Sequence, residues 1–138
     1  MKKKLKLPDV TLLSATSSEE DAAQLSIRIS LHNIEFGSVK LLCSSNPEKK
    51  YPDIEYISIP KLDSVDSYNE MIFQHLHKYF KTSHCLIVQA DSFVVNAKLW
   101  DEDFLKFDYI GGPWPNKIQV NPDILLNLEK NPVGNGGF

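Results

Sequence analysis

The sequence is poor in cysteine. It has two, Cys43 and Cys85, with no CxxC spacing, which excludes a disulfide framework and a zinc knuckle. Both sit in or beside apolar, strand-like runs, where a free thiol behaves as a small hydrophobe. No uninterrupted apolar stretch approaches the roughly 18 residues of a membrane-spanning helix. The run Lys2-Lys3-Lys4-Leu5-Lys6 has the look of a signal-peptide n-region. Pro8 and Asp9 arrive before any apolar segment, however, so secretion is not expected and the cytoplasm is. Nor is one sign of charge in excess: 15 basic residues stand against 18 acidic ones, a net charge of −3. That balance gives no broad electrostatic reason to bind nucleic acid. Residues 1–7 form a basic arm, either solvated or in weak contact with an anionic membrane surface. There is no Ser-His-Asp order, no GxGxxG and no GxxxxGK[ST]. Gly134-Asn135-Gly136-Gly137 follows no strand signal, so it lacks the dinucleotide-binding context.

What is present is an ordinary globular composition, with 42% hydrophobic and 24% charged residues. At 138 residues, one domain is expected over 1–138. Val10 to Thr16 reads as a buried first strand. Ser17 with Glu20 three residues on is a capping-box pattern. The helix it opens is expected to reach about His32, with Ala22, Leu25, Ile29 and His32 on one face, and Gly37 closes the connection. Val39–Cys43 is a second strand and Ile54–Ile59 a third. A long helix from Ser64 or Asp66 to Phe80 carries Tyr68, Met71, Ile72, His75, Leu76, Tyr79 and Phe80 on an apolar stripe. His84–Gln89 is a fourth strand, apolar enough in the middle to be central. Lys98–Lys106 suggests a short helix, and Asp123–Leu128 one helical turn among proline- and glycine-rich loops.

This rhythm implies an α/β fold, a mainly parallel sheet with flanking helices. Right-handed crossovers place the first and fourth strands side by side. Ligands in such sheets bind beyond the carboxyl ends of the strands, where strand order reverses. The residues there are Ser14, Ala15, Thr16 and Ser17 after the first strand, and Gln89, Ala90 and Asp91 after the fourth. Asp91 is either a turn residue bonding its own backbone or a ligand for a hard cation such as Mg²⁺ or Mn²⁺. His75 and His77, two apart on a helix, cannot chelate one metal together, and His75 belongs to the apolar stripe. Tyr109-Ile110-Gly111-Gly112-Pro113-Trp114-Pro115 either lines a pocket or is a rigid loop packed by Trp114.

Several blocks together resemble a family known as domain of unknown function 5672. They are Leu7–Leu12, Phe36–Leu42, Leu86–Asn96 with Trp100, Phe107–Pro115 and Val133–Phe138. The resemblance implies a glycosyltransferase-like protein of GT-A type, a Rossmann-like fold acting in polysaccharide biosynthesis. A nucleotide-sugar donor and a glycan acceptor would then be its partners. Gln89-Ala90-Asp91 stands where that fold carries a DxD motif, with Gln89 in place of the first Asp, so Asp91 is the implied ligand of Mn²⁺ or Mg²⁺. By the same resemblance Thr11, Ser14, Ala15 and Thr16 join Gln89 and Asp91 in contacting the nucleotide. Trp114, Gly134, Asn135, Gly136 and Gly137 belong to the loop around donor sugar and acceptor. The alternative is a non-catalytic binding or scaffold module. The glycine-rich end reads either as a tail or as the interior of a longer enzyme's functional loop. On the second reading the 138-residue chain is expected to lack turnover, and to self-associate or carry a disordered tail beyond about Lys117.

Overall fold

The strand β1 (Leu5–Thr16) is buried without a break from Val10 to Ala15, as a strand covered on both faces must be. In the computed structural model, which describes residues 3–127 and 133–134, β1 lies inside a four-stranded parallel sheet. Its neighbours are β2 (Ile34–Cys43) on one side and β4 (His84–Ile87) on the other, with β3 (Glu55–Ser58) beyond β2. The first and fourth strands are therefore adjacent, as the crossover rule requires. β4 is not central, however. Among the described residues it pairs with β1 alone, and its four residues are only half-buried. An apolar run shows that a strand packs against the core and says nothing about how many strands flank it.

β1 and β2 lose register between Leu7 and Thr11. Pro8, Asp9 and Val10 there oppose the single residue Gly37. Proline has no N–H to give a ladder, and a bulge is where a strand tolerates it. Gly37 thus lies within β2 facing the bulge, rather than closing a helix-to-strand connection. A Cβ at Gly37 would stand 1.9 Å from the Pro8 carbonyl oxygen.

Side chains alternate across the sheet. Leu13 and Ala15 of β1, with Leu42 of β2, face one side and pack with Ile59, Met71, Ile72 and Leu76. The helical segment covering that side begins as α2 (Val65–Glu70), where Ser64 and Ser67 close a capping box. It passes through a π turn over Met71–His75 and ends in a 3₁₀ turn over Leu76–Lys78. The expected stripe holds: Tyr68, Tyr79 and Phe80 also pack on this core. His75 departs from it. The ring is half-exposed, 3.3 Å from a Glu70 carboxylate oxygen and 3.0 Å from the Lys78 ammonium.

The helix α1 (Glu20–Ser30) presents Ala23, Gln24, Ser26, Ile27 and Ser30 inward. The expected face of Ala22, Leu25, Ile29 and His32 is turned to solvent instead. Ser26 and Ser30 must face inward because their hydroxyls bond to the chain that follows β4. The expected capping box is also absent from α1. The Ser17 hydroxyl accepts the Leu62 N–H at 2.8 Å and Glu20 accepts the Ser45 hydroxyl at 2.6 Å. Thr16 Oγ1 takes the Glu19 N–H at 3.2 Å in their place. Tertiary partners outcompete the local cap.

The chain divides into two compact units, Met1–Trp100 and Asp101–Phe138. The expected helix over Lys98–Lys106 is two 3₁₀ turns, Ala97–Leu99 and Glu102–Lys106, started by the Asn96 and Asp101 side chains. In the second unit β6 (Lys117–Asn121) and β7 (Ile124–Asn127) form an antiparallel hairpin around Pro122-Asp123. A strand therefore stands where a helical turn was expected, and the stretch just after Lys117 is paired. β5 (Gly112–Pro113) pairs antiparallel with β8 (Val133–Gly134).

Candidate functional site at the carboxyl edge of the sheet

Parallel strands deliver their carboxyl ends to one edge, and here that edge gathers Thr16, Ser17 and the chain after β4. The turn from Gln89 to Ser92 is braced on three sides. Ser92 and Gln89 bond one another, the Gln89 N–H donating to Ser92 Oγ at 2.8 Å and the Ser92 N–H to the Gln89 carbonyl at 3.2 Å. The Ser26 hydroxyl of α1 donates to the Ala90 carbonyl at 3.0 Å. From the other side of the sheet Tyr68 receives the Gln89 side-chain amide at 2.8 Å.

Asp91 stands exposed at the tip of this turn. Its charge is felt at Tyr68, whose hydroxyl is held above its usual range. Burial is the larger cause; the Gln89 hydrogen bond opposes it and the Asp91 carboxylate adds to it. Tyr68 is therefore a neutral hydroxyl near neutral pH, able to accept from Gln89 and still donate. The result is a carboxylate on a rigid turn, backed by an amide and a phenol. Sequence reasoning singled out Gln89 and Asp91 but missed Tyr68, Ser26 and Ser92. Tyr68 was legible only as part of an apolar stripe.

The residues expected after the first strand fare differently. Thr16 is half-exposed at the edge. Ala15 is buried in the core beside Leu13. Ser14 is 1% exposed on the face toward α1, and its hydroxyl has no hydrogen-bond partner among the described residues. Thr11 requires correction. It is fully buried in the middle of β1, level with Ser38 of β2 and Cys85 of β4. Its hydroxyl lies 2.7 Å from Thr82 Oγ1 and 3.1 Å from Ser38 Oγ. Thr82 donates onward to the His84 carbonyl at 2.8 Å, so Thr11 must donate to Thr82 and accept from Ser38. That chain uses its hydrogen-bonding capacity inside the protein, away from any ligand at the carboxyl edge.

Among the described residues no three His, Cys, Asp or Glu side chains converge on one point. Asp91 is a single carboxylate, and the Gln89 amide is turned to Tyr68. One carboxylate fits Mg²⁺, which keeps several waters and takes its other ligands from substrate phosphates. It does not make a site that would hold a metal without a phosphate ligand.

In the second unit, the pairing of Gly112 with Gly134 brings two sequence blocks together. Trp114 follows β5 directly and is 41% exposed. Asn135, Gly136 and Gly137 lie outside the described residues, so their assignment to a donor–acceptor loop has no structural counterpart here.

No helix among the described residues is long and apolar enough to cross a membrane. No curated protein and no solved structure matches the chain significantly. A family model does: residues 52–138 match the family described as "Protein of unknown function (DUF5672)". That span takes in β3, β4, the Asp91 turn and the second unit, and it leaves out the Leu7–Leu12 and Phe36–Leu42 blocks. The chain belongs to this family of proteins of unknown function.

Proposed function

We propose that this protein belongs to a nucleotide-sugar-dependent glycosyltransferase of GT-A type, with the Asp91 turn as its diphosphate site. The observation that supports this most is the position of Asp91: an exposed carboxylate on a braced turn at the carboxyl edge, directly after the strand beside β1. Open α/β sheets bind ligands at such places. A divalent ion brought with the nucleotide would neutralise the charge of the departing diphosphate. Asp91 would anchor that ion's water shell from one side. Ser26, Ser92 and Tyr68 hold the turn still, so little reorganisation is needed as charge develops. The Thr16 and Ser17 hydroxyls, at the end of β1, each accept a backbone N–H and keep their own proton to donate toward the nucleoside.

A second reading has its own support. On the GT-A resemblance Gln89 stands in for the first DxD carboxylate, and its amide is committed to Tyr68. A non-catalytic scaffold that binds no nucleotide would tolerate that commitment.

Calorimetry separates the two. Uridine, guanosine, cytidine and thymidine diphosphates are titrated with and without Mn²⁺. On the transferase reading one of them binds in a metal-dependent way, and Asp91→Asn weakens it by roughly 2–4 kcal/mol, the scale of losing a charged group that holds the ion neutralising the diphosphate. Failure of all four to bind, or unchanged binding in Asp91→Asn, favours the scaffold.

A further inference from the structure

The amino edge of the first unit carries a second feature, away from the Asp91 turn. The chain leaving β4 runs back along α1, fixed by the Ser30 hydroxyl accepting the Val94 N–H at 3.0 Å. This path delivers Asn96–Trp100 to the beginning of β1, where Leu5 donates its N–H to the Asn33 carbonyl at 3.0 Å. Between these segments lies a cavity of about 490 Å³, within the usual range for small-molecule sites.

Its lining is chemically one-sided. Lys3, Lys4 and Lys98 are among the residues that line it, and among the described residues no Asp or Glu does. The Lys4 ammonium is anchored at the C-terminal end of α1, donating to the Leu31 carbonyl at 2.8 Å, and retains two further N–H donors. The carboxamides of Asn33 and Asn96 add neutral polar groups. Asn96 uses its side-chain oxygen on the Lys98 N–H at 3.1 Å, which fixes the loop that carries Lys98. The rest of the wall is apolar: Trp100, Leu5 and Val95. Three lysines around one opening, with no acid beside them, favour an anion. A bare anion, however, would leave the indole and aliphatic wall unused.

We infer that this cavity binds an organic phosphate, its charged head among Lys3, Lys4 and Lys98 and its apolar body against Trp100. The chemistry is the same whether the phosphate is a soluble ester or the headgroup of a lipid in a bilayer. The inference does not rest on the Asp91 reading, since the two sites lie at opposite edges of the sheet.

The test uses the full chain and three probes: inorganic phosphate, short-chain phosphatidic acid kept monomeric, and phosphatidylcholine vesicles with and without phosphatidic acid. Calorimetry is expected to show the monomeric amphiphile binding more tightly than inorganic phosphate. Replacing Lys3, Lys4 and Lys98 by Gln should weaken it about a hundredfold, or roughly fivefold per lysine at an anionic surface. Lys98→Glu leaves the Lys4 anchor intact and should by itself weaken binding at least about tenfold, with an unchanged melting temperature. Trp100→Ala should lower affinity for the amphiphile but not for inorganic phosphate. Binding of the monomer places the ligand in solution. Binding confined to phosphatidic acid vesicles, and lost in Lys98→Glu, places it in a membrane. Binding of neither, equal affinity for inorganic phosphate and the amphiphile, or binding unaffected by Lys98→Glu overturns the inference.

Discussion

Gly37 shows how much one residue can fix. It faces the bulge of Pro8, Asp9 and Val10, and only the missing Cβ lets the two backbones approach. Alanine there would meet backbone carbonyl atoms at 1.9 and 2.8 Å, and backbone cannot swing aside as a long side chain does. Gly37→Ala is expected to cost about 3 kcal/mol or more, as overpacking against rigid neighbours does. Urea unfolding measures it, and a loss under about 1 kcal/mol would show that the bulge relaxes. The sequence placed Gly37 in a turn because glycine most often marks one. Its role is set by a proline 29 positions away in the chain, which no local pattern reveals. The same holds for Thr11. Its β-branched side chain was legible as strand, but its bonds to Ser38 and Thr82 depend on three separate segments meeting.

At the scale of elements, the two helices contrast. The α2 segment follows its own sequence: Ser64 caps it, its apolar stripe is the buried one, and both were readable. Ser64 Oγ accepts the Ser67 N–H at 3.0 Å, and Ser67 Oγ accepts the Ser64 N–H at 3.1 Å. Ser64→Ala should therefore destabilise the protein by about 1 kcal/mol, with Ser64→Asp close to wild type. Thermal unfolding of the pair checks this, and equal losses in both would mean the cap contributes nothing. α1 does not follow its own sequence in this way. Counting large apolar residues chose the face of Leu25 and Ile29, yet Leu25 is 59% exposed. The inward face is built from Ala23, Ile27 and two serines a turn apart. Those serines bind the chain after β4, and a hydroxyl's preference for a distant backbone group is invisible to hydrophobic periodicity.

For the molecule as a whole, acids in the core set the response to alkali. Burial pushes the Cys85 thiol from 9.0 up to about 12. Cys43, Tyr56 and Tyr68 are also raised, burial being the largest cause in each. A group whose folded pKa is raised binds its proton more tightly in the native state. Its contribution is full below the unfolded pKa and is lost as pH climbs to the folded one. For Cys85 that window runs from about pH 9 to about pH 12, with a loss of at most about 4 kcal/mol. The melting temperature should hold steady at neutral pH and fall steadily above pH 9. Cys85→Ala, though less stable at neutral pH, should show a shallower fall. A parallel fall in both proteins would remove Cys85 as a cause. The high thiol pKa also makes Cys85 a poor nucleophile, in keeping with its reading as a small hydrophobe.

The sequence by itself determined the α/β class, the parallel pairing of the first and fourth strands, the capped α2 and the exposed turn at Asp91. Each rests on local chemistry: strand-forming runs, a serine cap, a polar residue directly after an apolar strand, and the fixed hand of crossovers. Only the tertiary structure decided that β4 lies at a sheet edge, which face of α1 is inward, and where Gly37, Ser17 and Thr11 find their partners. It also decided that Tyr68 backs the Asp91 turn, and that three lysines and an indole share a cavity at the opposite edge. The physical reason is common to all of these. Each depends on a contact between segments far apart in the chain, and side-chain hydrogen bonds and close backbone approaches leave no periodic trace along it.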